Sequence, residues 1–255
     1  MNFIVTASTD IGLTKKTNQD SFVARTFNTK QGKIVMAVLC DGMGGLSKGE
    51  IASASVVHAF SKWADIQLPA LCENKILDSS IQKDWTNIAI EYNQKIKDYA
   101  ASYGTNMGTT VTAMLLTENR YYILNIGDTR AYEITNQISL LTKDQTVVAR
   151  EVEMGNLTWE AAEKDARRSV LLQCIGASDE VYPDMFYGET KQNAVYMICS
   201  DGFRHEITAN EILEYLNPAV MLDSTSMKQN MNSLIELNKQ RQERDNISVI
   251  SIRTF

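Results

Sequence analysis

Two periodicities divide this chain. Short apolar runs, Val35-Met36-Ala37-Val38-Leu39-Cys40 and Val195-Tyr196-Met197-Ile198-Cys199 among them, are bounded by Gly, Asp and Asn and read as strands. Strand signals open the chain over residues 2–8 and 21–26, on either side of the turn-rich stretch 9–20, and return over 34–40. From Lys48 the period lengthens. Ala52, Val56, Ala59, Phe60 and Trp63 share one helical face, and Pro69 stands where that helix has ended. A second helix is predicted over 82–101, with Trp85, Ile88, Ala89, Tyr92, Ile96 and Tyr99 on one stripe. Two consecutive helices with apolar faces predict an antiparallel pair lying over a sheet.

Shorter runs rich in Val, Ile, Tyr and Thr follow at 110–116, 121–126, 130–134 and 137–141, and predict an antiparallel meander. The stretch 147–181 is charged and carries one helix signal, from Thr158 towards Arg168, so it reads as an insertion against a sheet edge. Beyond the run at 195–199, Thr208-Ala209-Asn210-Glu211 has the spacing of a capping box for a helix over 211–216. A last helix is predicted over 226–242 and a closing strand over 246–253.

Composition narrows the function. A chain of 255 residues with 44% apolar residues can bury a sizeable core, as one large domain or two small ones. Lys and Arg number 25 against 31 Asp and Glu, a net charge of -6, which argues against a nucleic-acid surface. An acidic protein attracts no phosphate at long range, so any phosphate affinity must come from a bound metal or a placed Lys or Arg. The cysteines Cys40, Cys72, Cys174 and Cys199 form no C-x-x-C pair, which argues against a zinc knuckle and fits a reducing cytosol. No basic start followed by an apolar stretch marks a signal peptide, and no apolar run approaches the ~18 residues of a membrane helix. The expectation is a cytoplasmic protein with no membrane segment.

The chemistry lies at the ends of the strands. The run ending at Cys40 leads into Asp41-Gly42, the one ending at Ile126 into Gly127-Asp128, and the one ending at Cys199 into Ser200-Asp201-Gly202. Asp245-Asn246 stands immediately before the closing run. One Asp at a strand tip is an ordinary turn. Four such tips meeting at one end of a sheet would make a cage of oxygen ligands for hard divalent cations. The only histidines are His58 and His205, too few for an imidazole-built zinc or iron centre.

With Gly12-Leu13-Thr14-Lys15-Lys16-Thr17-Asn18-Gln19-Asp20, Asp41-Gly42-Met43-Gly44-Gly45, Gly108-Thr109-Thr110, Gly127-Asp128-Thr129-Arg130, Leu141-Thr142-Lys143-Asp144-Gln145, Ser200-Asp201-Gly202 and Asp245-Asn246-Ile247-Ser248, the chain resembles the metal-dependent serine/threonine protein phosphatases of the 2C type, in particular bacterial ones. The motifs occur in the family's order and span nearly the whole chain. The resemblance implies an α+β fold, a four-layer αββα sandwich of two antiparallel sheets flanked by helix pairs. It implies one catalytic domain over 1–255, with a flap insertion at about 145–182. The implied activity is hydrolysis of phosphoserine and phosphothreonine in proteins by a metal-activated water at a centre of two Mn²⁺ or Mg²⁺ ions. The implied partners are phosphoproteins, substrates of a serine/threonine kinase.

By the same resemblance Asp41 bridges the two metals, the Gly42 carbonyl ligates one, and Asp201 and Asp245 complete the pair. Asp20 acts through metal-bound water. Asp128, with Asp201, holds a third, weaker ion near the flap, and Asn246 orients the Asp245 turn. Two positions depart from the family pattern. Lys15 stands where many members place a phosphate-binding Arg, keeping the charge but losing the bidentate fork. Gln19 stands where they place Glu; it can bond a metal-bound water but brings no charge.

Other residues read as structural. Met43 packs the loop, since thioether sulfur suits soft metals. His205 reads as a solvated loop residue, Arg167-Arg168 as a solvated helix end, and Asp144 as structural. Gln19 and Lys15 also admit a second reading, a catalytically weak or silent relative acting as a regulatory phosphoprotein-binding module. An aspartyl-phosphate hydrolase of the haloacid-dehalogenase kind would need Asp-x-Asp, and Asp41 is followed by Gly42 and Met43.

Overall fold

The computed structural model describes residues 1–43 and 48–255, so Gly44 and Gly45 of the first glycine-rich motif lie outside the described residues. Strand β1 (Phe3–Asp10) leads through a long loop to β2 (Ser21–Thr29), β3 (Gly32–Cys40) and the two-residue β4 (Gly42–Met43). Helices α1 (Gly49–Ile66), α2 (Leu68–Leu71) and α3 (Asp78–Ser102) follow. Next come β5 (Gly108–Thr109), β6 (Val111–Leu116), β7 (Tyr121–Ile126), β8 (Arg130–Ile134) and β9 (Ile138–Leu140). The chain continues through α4 (Val147–Glu153), α5 (Trp159–Ala162), β10 (Asp184–Gly188) and β11 (Val195–Cys199). It closes with α6 (Asp201–Arg204), α7 (Ala209–Leu216), α8 (Ser224–Gln240) and β12 (Ile247–Thr254).

The uninterrupted apolar runs belong to strands buried on both faces. Two antiparallel sheets of five strands, ordered β1-β12-β11-β8-β9 and β10-β7-β6-β3-β2, stack against each other. Along β3, Ile34, Met36, Val38 and Cys40 pack under α1 and α3, while Val35, Ala37 and Leu39 face the other sheet. Along β11, Val195, Met197 and Cys199 pack under α7 and α8, while Tyr196 and Ile198 face inward. Because side chains alternate along a strand, a strand in either sheet serves two cores at once and must be apolar at nearly every position. Three separate cores divide the molecule into four layers, helix, sheet, sheet, helix, as expected.

Several expectations need correction. The meander is split. β6 and β7 belong to one sheet, β8 and β9 to the other, so Gly127-Asp128-Thr129 crosses between sheets and is not a hairpin corner. Period-two patterning fixes strands but not the sheet each joins. In the stretch 147–181, α4 was not expected. Thr158 does cap a helix, its hydroxyl accepting from the Ala161 N–H, but that helix ends at Ala162 and does not run towards Arg168. β10 was also missed; it is a half-buried strand paired with β7. Tyr99 leaves the buried stripe of α3, being 38% exposed and stacked on Tyr103 with ring centroids 4.7 Å apart. The capping box of Thr208 and Glu211 is present as read.

Trp85, on α3, is the largest fully buried side chain, set edge-on to Phe60 and Trp63 of α1 with centroids 5.7 and 5.5 Å away. Trp85→Ala should destabilise the protein by about 3–5 kcal/mol in urea unfolding, because the helix pair cannot close over the void. A loss under about 1 kcal/mol would show that α3 does not depend on this contact.

Candidate active site

Strand register gathers the aspartates. Ser21 pairs with Cys40, so Asp20 and Asp41 lie side by side at the ends of β2 and β3. Leu39 pairs with Thr112 and Val111 with Ile126, which carries Asp128 to that same end. In the second sheet Cys199 pairs with both Arg130 and Val249, which sets Asp201 next to Asp128 and Asp245. A line of hydroxyls ties the two sheets here. The Asp41 N–H donates to Thr110 Oγ1 at 2.9 Å, and Thr110 Oγ1 lies 2.5 Å from Thr129 Oγ1 in the crossover.

Asn246 staples the loop 11–19 onto this end. Its Oδ1 accepts from the Gln19 N–H at 2.9 Å, its Nδ2 donates to the carbonyls of Ile11 and Thr17, and its own N–H donates to Asp245 Oδ1 at 2.7 Å. Every polar group of this buried side chain is used. Thr14 Oγ1 adds a bond to the Arg244 carbonyl at 2.7 Å. The fit leaves no room for side chains at two glycines. A Cβ on Gly12, whose φ is +76°, would stand 2.1 Å from the Asp245 carbonyl oxygen, and one on Gly202 would stand 2.2 Å from that of Asn246.

The loop delivers Lys15, whose Nζ lies 2.6 Å from Asp245 Oδ1. Gln19 lies against Gly42 and Gly49. With its amide oriented to satisfy both groups, it donates to the Gly42 carbonyl at 3.3 Å and accepts from the Gly49 N–H at 3.2 Å. It therefore braces the start of α1 and bonds the carbonyl that the resemblance implies as a metal ligand.

His205 is not a solvated loop residue. Its side chain is 16% exposed and sits between two carboxylates, with Nε2 3.4 Å from Asp201 Oδ2 and Nδ1 3.3 Å from Glu243 Oε2. Glu243 in turn accepts from the backbone N–H groups of Arg244 and Asp245. A Glu243–His205 bridge thus joins the backbone of Asp245 to the side chain of Asp201. Sequence reasoning missed Glu243. The one available signal was the four-residue step from Asp201 to His205, which puts both on one helical face. Asp144 is structural as read, clamped by Arg130 through two bonds of 2.8 and 2.7 Å. Arg167 bonds Asp165 on the surface. Arg168 joins Trp159, Thr146, Arg130 and Arg204 in lining a cleft of about 520 Å³ between α4–α5 and α6–α7, beside Asp128.

Known proteins resemble this chain in sequence and in fold. The sequence profile of protein phosphatase 2C matches residues 14–236. The chain belongs to the protein phosphatase 2C family.

Its relatives there are named as protein phosphatases, several of them as serine/threonine phosphatases. It is 31% identical to the serine/threonine protein phosphatase PstP of Mycobacterium tuberculosis, over 96% of this chain and 43% of that protein. It is 30% identical to the protein phosphatase PhpP of Streptococcus pneumoniae, over 84% of each. Among solved structures, the serine/threonine phosphatase Stp1 of Staphylococcus aureus superposes with a TM-score of 0.85 at 26% identity, covering 100% of this chain and 96% of that one. The catalytic domain of PstP in complex with two manganese ions gives 0.78 at 26% identity, over 98% and 97%.

In this 2C-family chain the carboxylates crowd one another. Burial raises the Asp20 carboxyl to about 7, with Asp201 and Asp245 adding to the rise and the nearby Ser248 and Ser200 hydroxyls opposing it. Burial, then the charges of Asp20, Asp201, Asp128 and Asp245, push Asp41 well above the carboxylate range. Asp128 rises to about 7 through burial and Asp201, against Arg204. Burial works against the charge on Lys15, but its bond to Asp245 and the fields of Asp245, Asp41 and Asp201 outweigh that.

The donor set fits a hard cation. Both oxygens of Asp20 and Oδ1 of Asp201 are buried with no hydrogen-bond partner at bonding geometry. All the charged donors are carboxylates. Among the described residues, no three His, Cys, Asp or Glu side chains converge closely enough to ligate one ion as they stand. The chain supplies its own counter-charge instead, through Lys15 on Asp245.

The raised carboxyls predict a pH effect. Asp20 and Asp128 bind protons more tightly folded, at about 7, than unfolded, near the ordinary 3.8. Their stabilising contribution is therefore complete below about pH 4 and is lost as pH rises through 7. His205, also raised, acts in the same direction. The lowered carboxyls of Asp144 and Glu243 act only at acid pH. In EDTA, unfolding free energy should fall by about 2–4 kcal/mol between pH 5 and 8, and excess Mn²⁺ should flatten the slope. Thermal melts across that range read the effect; a flat profile in EDTA would show that these carboxyls titrate normally.

Proposed function

We propose that this protein hydrolyses phosphoserine and phosphothreonine in cytoplasmic phosphoproteins, the products of a serine/threonine kinase, with two Mn²⁺ or Mg²⁺ ions. The proposal takes residues 1–255 as one catalytic domain and 145–182 as its flap. The observation that carries it is the set of five aspartates that strand register brings to one end of the sandwich, with both oxygens of Asp20 and Oδ1 of Asp201 buried and without a hydrogen-bond partner among the described residues, on a chain of the 2C family.

Asp41, Asp201, Asp245 and the Gly42 carbonyl would hold the ions, and Asp20 would stand behind them. When bound, such ions activate the attacking water and offset charge on the phosphoryl oxygens. The chain's own residues do the rest. Asp41, buried and crowded by the four other carboxylates, holds its proton more tightly than a free carboxyl, and a cation bound there would offset that repulsion and favour the ionised form. The two sheets fix the carboxylates in place before substrate binds, which lowers the reorganisation needed in the transition state. Lys15 has a flexible stem and, among the described residues, pairs with Asp245. A cation held by Asp245 would compete with Lys15 for that carboxylate, leaving the ammonium to bind a substrate phosphate oxygen. Asn246 and the Glu243–His205 bridge hold the geometry of Asp245 and Asp201. The silent binding-module reading is not favoured, because the carboxylate set is complete.

Turnover of p-nitrophenyl phosphate and phosphothreonine peptides should vanish in EDTA and return with Mn²⁺ or Mg²⁺. Asp41→Asn and Asp245→Asn should each lose about 100-fold or more in kcat while circular dichroism stays native. Full turnover in chelator would exclude the metal-dependent mechanism.

Lys15→Ala should lower kcat/KM about tenfold, and Lys15→Arg should keep or raise it. The alanine variant should also need less Mn²⁺ for half-maximal rate, since Asp245 loses its internal competitor. Unchanged kinetics in both respects would remove Lys15 from the site.

A further inference from the structure

The resemblance places a third, weaker cation between Asp128 and Asp201. The residues around Asp128 do not fit one. Arg204 Nη2 donates to the Asp128 backbone carbonyl at 3.1 Å and stands 3.8 Å from Asp128 Oδ2 and 3.6 Å from Asp144 Oδ2. Arg130 clamps Asp144 from the other side. Two guanidiniums and two carboxylates cancel within one cluster, and the side chains of Asp128 and Asp144 are buried. Arginine does not deprotonate in proteins, so this positive charge is permanent.

Of Asp201, the other ligand such an ion would need, Oδ2 is engaged by His205 at 3.4 Å, which leaves only Oδ1, the oxygen available to the two-ion centre. Arg204 and His205 follow Asp201 on the short turn of α6, which aims one at Asp128 and returns the other to Asp201. A divalent ion at Asp128 would meet a fixed like charge in a low-dielectric wall, with one free carboxylate at most to offset it.

We infer that in this chain the Arg204 guanidinium takes the place of a third cation at Asp128, leaving only the two-ion centre built on Asp41, Asp201 and Asp245. Asp128 then serves as a positioning residue, tying the crossover between sheets to α6 and, through Asp144, to the base of the stretch 145–182. The inference rests on the two-ion reading above.

The test counts bound Mn²⁺ on the full chain, by electron paramagnetic resonance of the free ion at equilibrium and by calorimetric titration into the millimolar range. Wild type should bind two ions, and Asp128→Asn should also bind two, with affinities shifted by no more than a few-fold because Asp128 acts on Asp41 only through its field. Arg204→Thr should gain a third, weaker ion, which Asp128→Asn added in that background should remove, while Arg204→Lys stays at two. Circular dichroism and thermal melts report whether each variant folds. If Arg204→Thr does not fold, wild type against Asp128→Asn still decides. Three ions in wild type, one of them lost in Asp128→Asn, would overturn the inference. Binding of fewer than two ions in wild type would overturn the two-ion reading instead.

Discussion

The structure depends on holding several negative charges together at a dry end of a sandwich. At an effective dielectric of about 20, two like charges 4 Å apart repel by about 4 kcal/mol. Five strand-end aspartates share this end, and burial of Asp20, Asp41 and Asp128 adds to their mutual repulsion. Only a rigid frame can hold such a set in place. The two sheets provide it, because each central strand is packed on both faces and cannot rotate or slip without moving a core residue into another layer.

The chain answers that repulsion with cations placed at different depths. Lys15 reaches Asp245 from an exposed loop on a flexible stem, a counter-charge that can leave. Arg204 reaches Asp128 from a buried turn and is fixed between Asp128 and Asp144. His205 lies between Asp201 and Glu243. The exposed side of the carboxylate cluster faces Lys15 and the side nearest the cleft faces Arg204, so the two sides differ in how deeply their counter-charge is buried. Loop 11–19 carries no strand or helix of its own, yet it is positioned as firmly as one, because Asn246 uses all its hydrogen-bonding capacity on it and Gly12 lets it approach the Asp245 backbone.

Much was legible in the sequence, and for a physical reason. Strand runs such as 35–40 and 195–199 are apolar at consecutive positions, a pattern that only burial on both faces requires, and Asp at their tips is a local feature. The helix faces, the Thr208 capping box and the candidate carboxylates Asp41, Asp128, Asp201 and Asp245 follow from spacing within a few residues. What misled was also local: Thr158 is a true helix cap, but nothing nearby said that its helix would end after one turn.

Contacts between distant segments were decided by the tertiary structure alone. Which sheet a strand joins depends on register with partners far along the chain, so the crossover at Gly127-Asp128-Thr129 looked like a hairpin. Gln19 bracing Gly42 and Gly49, and Glu243 holding His205, join elements that neither periodicity nor motif spacing relates. Arg204 shows the division most clearly. Its sequence neighbours place it three residues after the candidate ligand Asp201, but only the fold brings its guanidinium to Asp128 and Asp144, and a charge acts through distance in space. The sequence by itself determined the carboxylate chemistry and the layers that carry it; the packing of distant segments determined which charges oppose one another, because that depends on distance in space and not along the chain.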